Sequence, residues 1–169
     1  FAGTFNHFNP FRKIFYWRLS KKFRDLDYFF GNKDVFYTSR KKISFDLLNR
    51  QHIMEIYKRT AVNVIYGSLN DYYFGESWGV TDRLFNIAYC NGFFICDHKR
   101  HLPEIFDVDT RLYTFRSMGE CREKIRFYMK NKDLRDDLAN KFHAQVMANH
   151  TIDKATEKLM SDIDAAVRK

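Results

Sequence analysis

Three groups of residues in this chain have types and spacings suited to holding an anion. Gly79, Val80 and Thr81 stand ahead of a stretch in which Leu84, Phe85, Ile87 and Ala88 fall at helical spacing. A helix starting there presents unpaired backbone N–H groups, and its dipole favours negative charge. Thr81 is placed to cap it, and Arg83 lies in its first turn, where a planar guanidinium matches a diphosphate. The second group is Gly3-Thr4, where a glycine lets the backbone approach a ligand, followed by Arg12 and Lys13 in the first turn of the next helix. Cations at a helix start oppose the dipole, so that placement points to a purpose other than helix stability. The third group is Tyr37, whose ring can stack on a base, beside the basic run Arg40, Lys41 and Lys42. Each group also has a plainer reading: Thr81 satisfies its own helix, and the basic residues form solvated faces.

Other chemistries lack their residues. No His, Cys and acidic cluster has metal-ligand spacing, and neither a phosphate-binding P-loop, a GxGxxG fingerprint nor a serine nucleophile elbow occurs. Cys90, Cys96 and Cys121 are odd in number and form no CxxC pair, which favours a reduced, intracellular, cytoplasmic protein over a disulfide framework. No apolar run approaches the length of a membrane span. Of the histidines, His7 and His98 fall in loops expected on the ligand side, and His150 precedes the last helix in a structural position.

The elements that must position these groups alternate. Strands are expected near 1–5, 26–30, 61–66, 92–96 and 111–115, with a short extra strand at 34–37. Asn9 and Pro10 open a helix that buries Phe11, Phe15, Leu19 and Phe23. Further helices cover 50–59, 81–90, the stretch from the Ser117/Glu120 capping box to Lys130, 131–149 with Leu134, Leu138, Phe142 and Val146 inward, and 151–167 with Ile152, Leu159 and Ile163. Asn91-Gly92 ends the 81–90 helix and leads into the apolar run Phe93, Phe94, Ile95 and Cys96, of the kind buried in a parallel sheet. Alternation of this kind predicts a three-layer α/β/α domain with a mainly parallel sheet, whose ligands bind at the carboxyl ends of the strands. The loops there are 4–9, 31–42, 67–80 and 97–101. The long third loop should expose Tyr72, Tyr73, Phe74 and Trp78 if another domain covers it.

Taken in order, these segments resemble the C-terminal Rossmann-like domain of GT-B glycosyltransferases, specifically the CgeB-like branch of the group 1 family. The segments that carry the resemblance are FAGTFN at 1–6, TDRLFNIAYCNGFFICD at 81–97, HLPEIFD at 101–107 and the closing helices at 122–159 with the His150-Thr151 pair. The resemblance implies a nucleotide-diphosphate sugar as donor, an unknown acceptor, and hexosyl or pentosyl transfer with no metal and no other cofactor. It assigns the donor's diphosphate to Gly3, Thr4, Arg12, Lys13 and the Gly79–Val80–Thr81 helix start, its base to the region of Tyr37, and catalytic roles to Arg83 and Glu76. Asn86 stands where the family carries a ribose-binding glutamate, and an amide bonds hydroxyls without the charge-assisted strength of a carboxylate. It further implies that residues 1–169 are a single donor-binding domain, a C-terminal fragment whose missing N-terminal domain holds the acceptor; the chain opens inside a strand and without methionine.

Composition agrees with a globular domain: 169 residues, 45% apolar and 18% aromatic, with Phe alone occurring 18 times. The net charge of +8 suits a polyanionic partner, whether nucleotide diphosphate, nucleic acid or membrane surface, and equally a lysine-rich solvated surface. A second function therefore stands beside the first: a non-catalytic glycosyltransferase-like module that binds nucleic acid or a protein.

Overall fold

The computed structural model describes residues 2–4, 14–15, 17–19, 21–22, 29–32, 35–37, 42–44, 50–67 and 79–167. It is an α/β structure whose organising feature is a parallel sheet of three strands, β5 (Asn63–Ile65), β6 (Phe94–Asp97) and β7 (Thr114–Phe115), in sequential order. Asn63, Val64 and Ile65 pair with Phe94, Ile95 and Cys96, and Cys96 and Asp97 pair with Thr114 and Phe115. The central strand is sealed on both faces, as a continuous apolar run requires. Successive side chains point to opposite faces. Phe94 stacks on Phe142 of α6 (Lys132–Asn149), centroids 4.5 Å apart, while Phe93 meets Tyr128 of α5 (Met118–Lys130), also at 4.5 Å. Helices thus cover both sides, as the alternation predicted. Phe15, in helical residues 14–15, joins the α5 side by stacking on Tyr66 and Phe115.

The four strands near the amino end form a second sheet, β1 (Ala2–Thr4), β2 (Phe29–Asn32), β3 (Val35–Tyr37) and β4 (Lys42–Ser44). β1 and β2 run parallel, and β3 and β4 extend the sheet antiparallel. Two expectations are corrected here. β2 continues through Gly31-Asn32, expected as the start of the loop over 31–42, because Asn32 and Gly31 pair with Val35 and Phe36. Lys42, read as part of a basic loop, begins β4; three residues with one apolar position are too short to show alternation, and backbone pairing to β3 makes the strand.

Helix starts and stops follow local chemistry. α1 (Arg50–Arg59) buries Tyr57 and matches its expected range. α2 (Asp82–Tyr89) buries Leu84, Ile87 and Ala88. Its end is a Schellman closure: Asn91, at φ 56°, donates to Ala88 O, and Gly92 donates to Ile87 O, both at 2.9 Å. Gly92 is needed for space, since a Cβ there would lie 2.8 Å from Tyr57 O and 3.0 Å from Ile87 Cγ2. α3 (Leu102–Ile105) follows β6. The expected strand over 111–115 shortens to β7 because Asp109 caps a helical turn, α4 (Thr110–Tyr113), by accepting the Arg111 N–H at 2.9 Å. α5 opens on the expected box: Ser117 Oγ accepts Glu120 N–H at 3.1 Å, and the Glu120 carboxylate accepts Arg116 N–H at 2.8 Å.

The core is aromatic. Phe94, Phe106, Tyr113 and Phe142 contact one another pairwise and are wholly buried. Leu138 and Val146 bury beside Phe142 as their spacing predicts, but Leu134, one turn nearer the helix start, is exposed. The last helix, α7 (Ile152–Val167), departs furthest: Ile152, Leu159 and Ile163 are 84%, 59% and 46% exposed, and none of its residues is buried. Phe15 and Leu19 are buried as expected, whereas Phe11 and Phe23, and the loop aromatics Tyr72, Tyr73, Phe74 and Trp78, lie outside the described residues.

Candidate functional site

In a right-handed β–α–β unit the helix begins where the first strand ends. α2 therefore starts at the carboxyl edge of the parallel sheet, the edge on which such folds bind ligands. Thr81 holds that start. Its backbone is extended (φ −81°, ψ 144°), its Oγ1 accepts Arg83 N–H at 3.2 Å, and its carbonyl accepts Leu84 N–H at 3.1 Å. Gly79 is exposed just before it, and Val80 packs against the core. Asp82 stands between Thr81 and Arg83. It places a carboxylate in the first turn, where it receives a hydrogen bond from Thr81 Oγ1 at 3.1 Å and already complements the dipole.

Arg83 is half-buried and faces α1, where its charge pulls down the phenol of Tyr57; burial outweighs it and pushes that phenol up. Asn86 lies one turn along the same helix and is exposed. Thr81, Arg83 and Asn86 thus occupy one short helix. Gly3, Thr4 and Tyr37 belong to the other sheet: Gly3 pairs with Phe30 and Phe30 with Tyr37, so glycine and tyrosine flank one residue of β2. Gly3 and Thr4 are strand residues, not loop residues, and Tyr37 pairs with Lys42 inside β3–β4. Glu76, Arg12 and Lys13 lie outside the described residues.

A buried polar centre on the same carboxyl edge was only half legible in the sequence. Lys99 is 1% exposed, with Nζ 2.9 Å from Asp97 Oδ2, while Asp97 Oδ1 accepts the Gly67 N–H at 3.1 Å. One carboxylate thereby links the ends of β5 and β6, and Gly67 takes φ 67° at that junction. The charge run at 97–101 marks this loop, but nothing in its pattern says that Lys99 turns inward. Beside it His98 donates its N–H to Phe115 O at 3.0 Å. Its imidazole sits below the usual histidine range, first through burial and then through Arg116, against upward pulls from Asp97 and Glu120.

The cysteines are buried or half-buried thiols. Burial drives Cys96 far up and Cys121 to about 12, and raises Cys90 against the opposing charge of Lys58. His150 caps α6, packs on Phe85 with centroids 5.3 Å apart, and is structural as expected. Among the described residues no group of three or more His, Cys, Asp or Glu is arranged to hold a metal, and no helix is long and apolar enough to cross a membrane.

No curated protein and no solved structure matches the chain. A family profile does. The match, described as glycosyl transferase-like, runs over residues 24–161 and takes in the parallel sheet, the α2 start and the closing helices through most of α7. The chain belongs to the glycosyl transferase-like family.

Proposed function

We propose that this domain binds the donor of a nucleotide-sugar glycosyltransferase, as the C-terminal half of a GT-B enzyme, and supports transfer of a hexosyl or pentosyl group to an acceptor held by a second, N-terminal domain. The observation that carries the reading is the capped start of α2 on the carboxyl edge of the sheet, with Arg83 in its first turn and Asn86 one turn on. Departure of a nucleoside diphosphate leaves negative charge on its phosphate oxygens. N–H groups at a helix start and a guanidinium stabilise that charge by preorganised electrostatics and need no metal. Arg83 is the leaving-group stabiliser in this reading, Thr81 with Gly79 and Val80 shapes the phosphate seat, and Asn86 meets the ribose hydroxyls. Gly3, Thr4, Arg12 and Lys13 complete the phosphate contacts, Tyr37 stacks on a base of uridine or guanosine type, and Glu76 is the acidic group nearest the sugar. The family match supports the same class.

A thermal-shift screen of nucleoside diphosphates and their sugars tests this, since a ligand of the native state raises Tm: at one hundred times Kd the stabilisation is about 2.7 kcal/mol. Asn86 in place of a carboxylate and the charge of +8 favour the second reading, a non-catalytic module for nucleic acid or protein. A Tm raised by oligonucleotide and by no nucleoside diphosphate would select it.

A further inference from the structure

We propose that His98 and Arg116 form an anion seat on the carboxyl edge of the β5–β6–β7 sheet and take one phosphoryl group. The last registered pair of the central and outer strands is Asp97 with Phe115, and the hydrogen bond from His98 N–H to Phe115 O carries the pairing one step further. His98 and Arg116 are therefore neighbours across the strand ends, on the edge where α2 also begins. Among the described residues, neither side chain makes a hydrogen bond, Arg116 is exposed and His98 is partly open to solvent.

The carboxylates nearby are engaged elsewhere. Asp97 is held by Lys99 and Gly67, and Glu120 accepts the backbone N–H of Arg116 and pairs with Lys124 at 3.7 Å. The charged groups around His98 are thus Arg116 and Lys99 on one side of the balance and Asp97 and Glu120 on the other. Burial first, and then the cations Arg116 and Lys99, disfavour imidazolium there. A phosphoryl oxygen between imidazole and guanidinium reverses that balance: it accepts from both and favours the protonated ring. The seat uses residues that the donor reading does not, and so goes beyond that reading. A phosphoryl group reaches it from the donor's own diphosphate or from a phosphorylated acceptor.

The test is an NMR titration of the His98 ring, assigned with His98→Gln, against inorganic pyrophosphate at constant ionic strength set with chloride. Pyrophosphate at about 10 mM should raise the His98 pKa by about one pH unit or more, saturably, and Arg116→Gln should abolish the effect while Arg116→Lys keeps part of it. A ring that does not move, or moves equally in Arg116→Gln, overturns the seat. Repeating the titration with saturating uridine diphosphate separates the sources. If the nucleotide itself shifts His98, the seat serves the donor; if pyrophosphate still shifts it afterwards, it serves a second phosphoryl group. Should pyrophosphate act and no nucleoside diphosphate bind, the seat stands and the donor reading falls. Should a nucleoside diphosphate bind and neither anion move His98, the donor reading stands and the seat falls.

Discussion

Replacing Lys99 by methionine should be among the costliest single changes outside the aromatic core. The side chain is 1% exposed and its Nζ lies 2.9 Å from Asp97 Oδ2. Methionine keeps most of the volume, so little cavity forms. What remains is a carboxylate at 16% exposure that has lost its nearby cation. Breaking one side of a buried pair costs about 3–5 kcal/mol, a large part of the roughly 5–15 kcal/mol that holds a domain folded. The Gly67 N–H bond to Asp97 Oδ1 offsets part of this, placing the expected loss near 3 kcal/mol. Removing both charges, with Asp97→Asn and Lys99→Met together, should restore much of the loss, because the asparagine oxygen can still accept from Gly67. Urea denaturation followed by circular dichroism measures Lys99→Met, Asp97→Asn alone and the double variant at a common m-value. A Lys99→Met loss under about 1 kcal/mol, or a double variant worse than the sum of the singles, would refute the claim that this pair is buried and coupled.

Three further outcomes follow from named contacts. Gly92→Ala should lose about 1–3 kcal/mol in the same assay, because its methyl would meet Tyr57 O at 2.8 Å, whereas Gly119→Ala, whose nearest neighbour would be Ser117 Oγ at 3.6 Å, should be close to neutral. His98 is depressed in the folded protein, so the unfolded chain binds its proton first. Its contribution is complete above the unfolded value near 6.5 and is lost as pH falls below it; His98→Gln should flatten that part of the stability–pH curve, and an unchanged slope would contradict the shift. Asp82→Asn should tighten nucleoside diphosphate binding, since it removes a carboxylate from the helix start at which the phosphates are proposed to sit, and calorimetry that finds weaker binding would contradict that placement.

Much of the scaffold was legible because local chemistry decided it. The Arg50–Arg59 helix, the Thr81 cap, the Asn91-Gly92 stop and the Ser117/Glu120 box are each written in a few adjacent residues. What was not legible depends on partners distant in sequence. Lys42–Ser44 becomes a strand only by pairing with β3, and Asp109 turns half of an expected strand into a helical turn with one side chain. Lys99 reads as part of the ligand-side loop at 97–101, and its burial requires Asp97 and the end of β5. In the candidate site, Thr81 and Arg83 were readable from position against a helix start. Asp82, which lies between them and competes for the same dipole, is marked by the same position in the first turn. The spacing of Ile152, Leu159 and Ile163 correctly marks a helix with an apolar stripe, but periodicity alone does not say what that stripe faces.

The donor reading rests on a nucleoside diphosphate seated at the start of α2. Isothermal calorimetry of uridine and guanosine diphosphates, titrated into the wild-type chain and into Arg83→Ala, tests it most directly. Saturable binding to the wild type is expected, with a loss of about 1.5–3 kcal/mol on removing the guanidinium, roughly a 10- to 100-fold rise in Kd. No binding at millimolar nucleotide by the folded wild-type chain, or equal affinity in the two proteins, would contradict it.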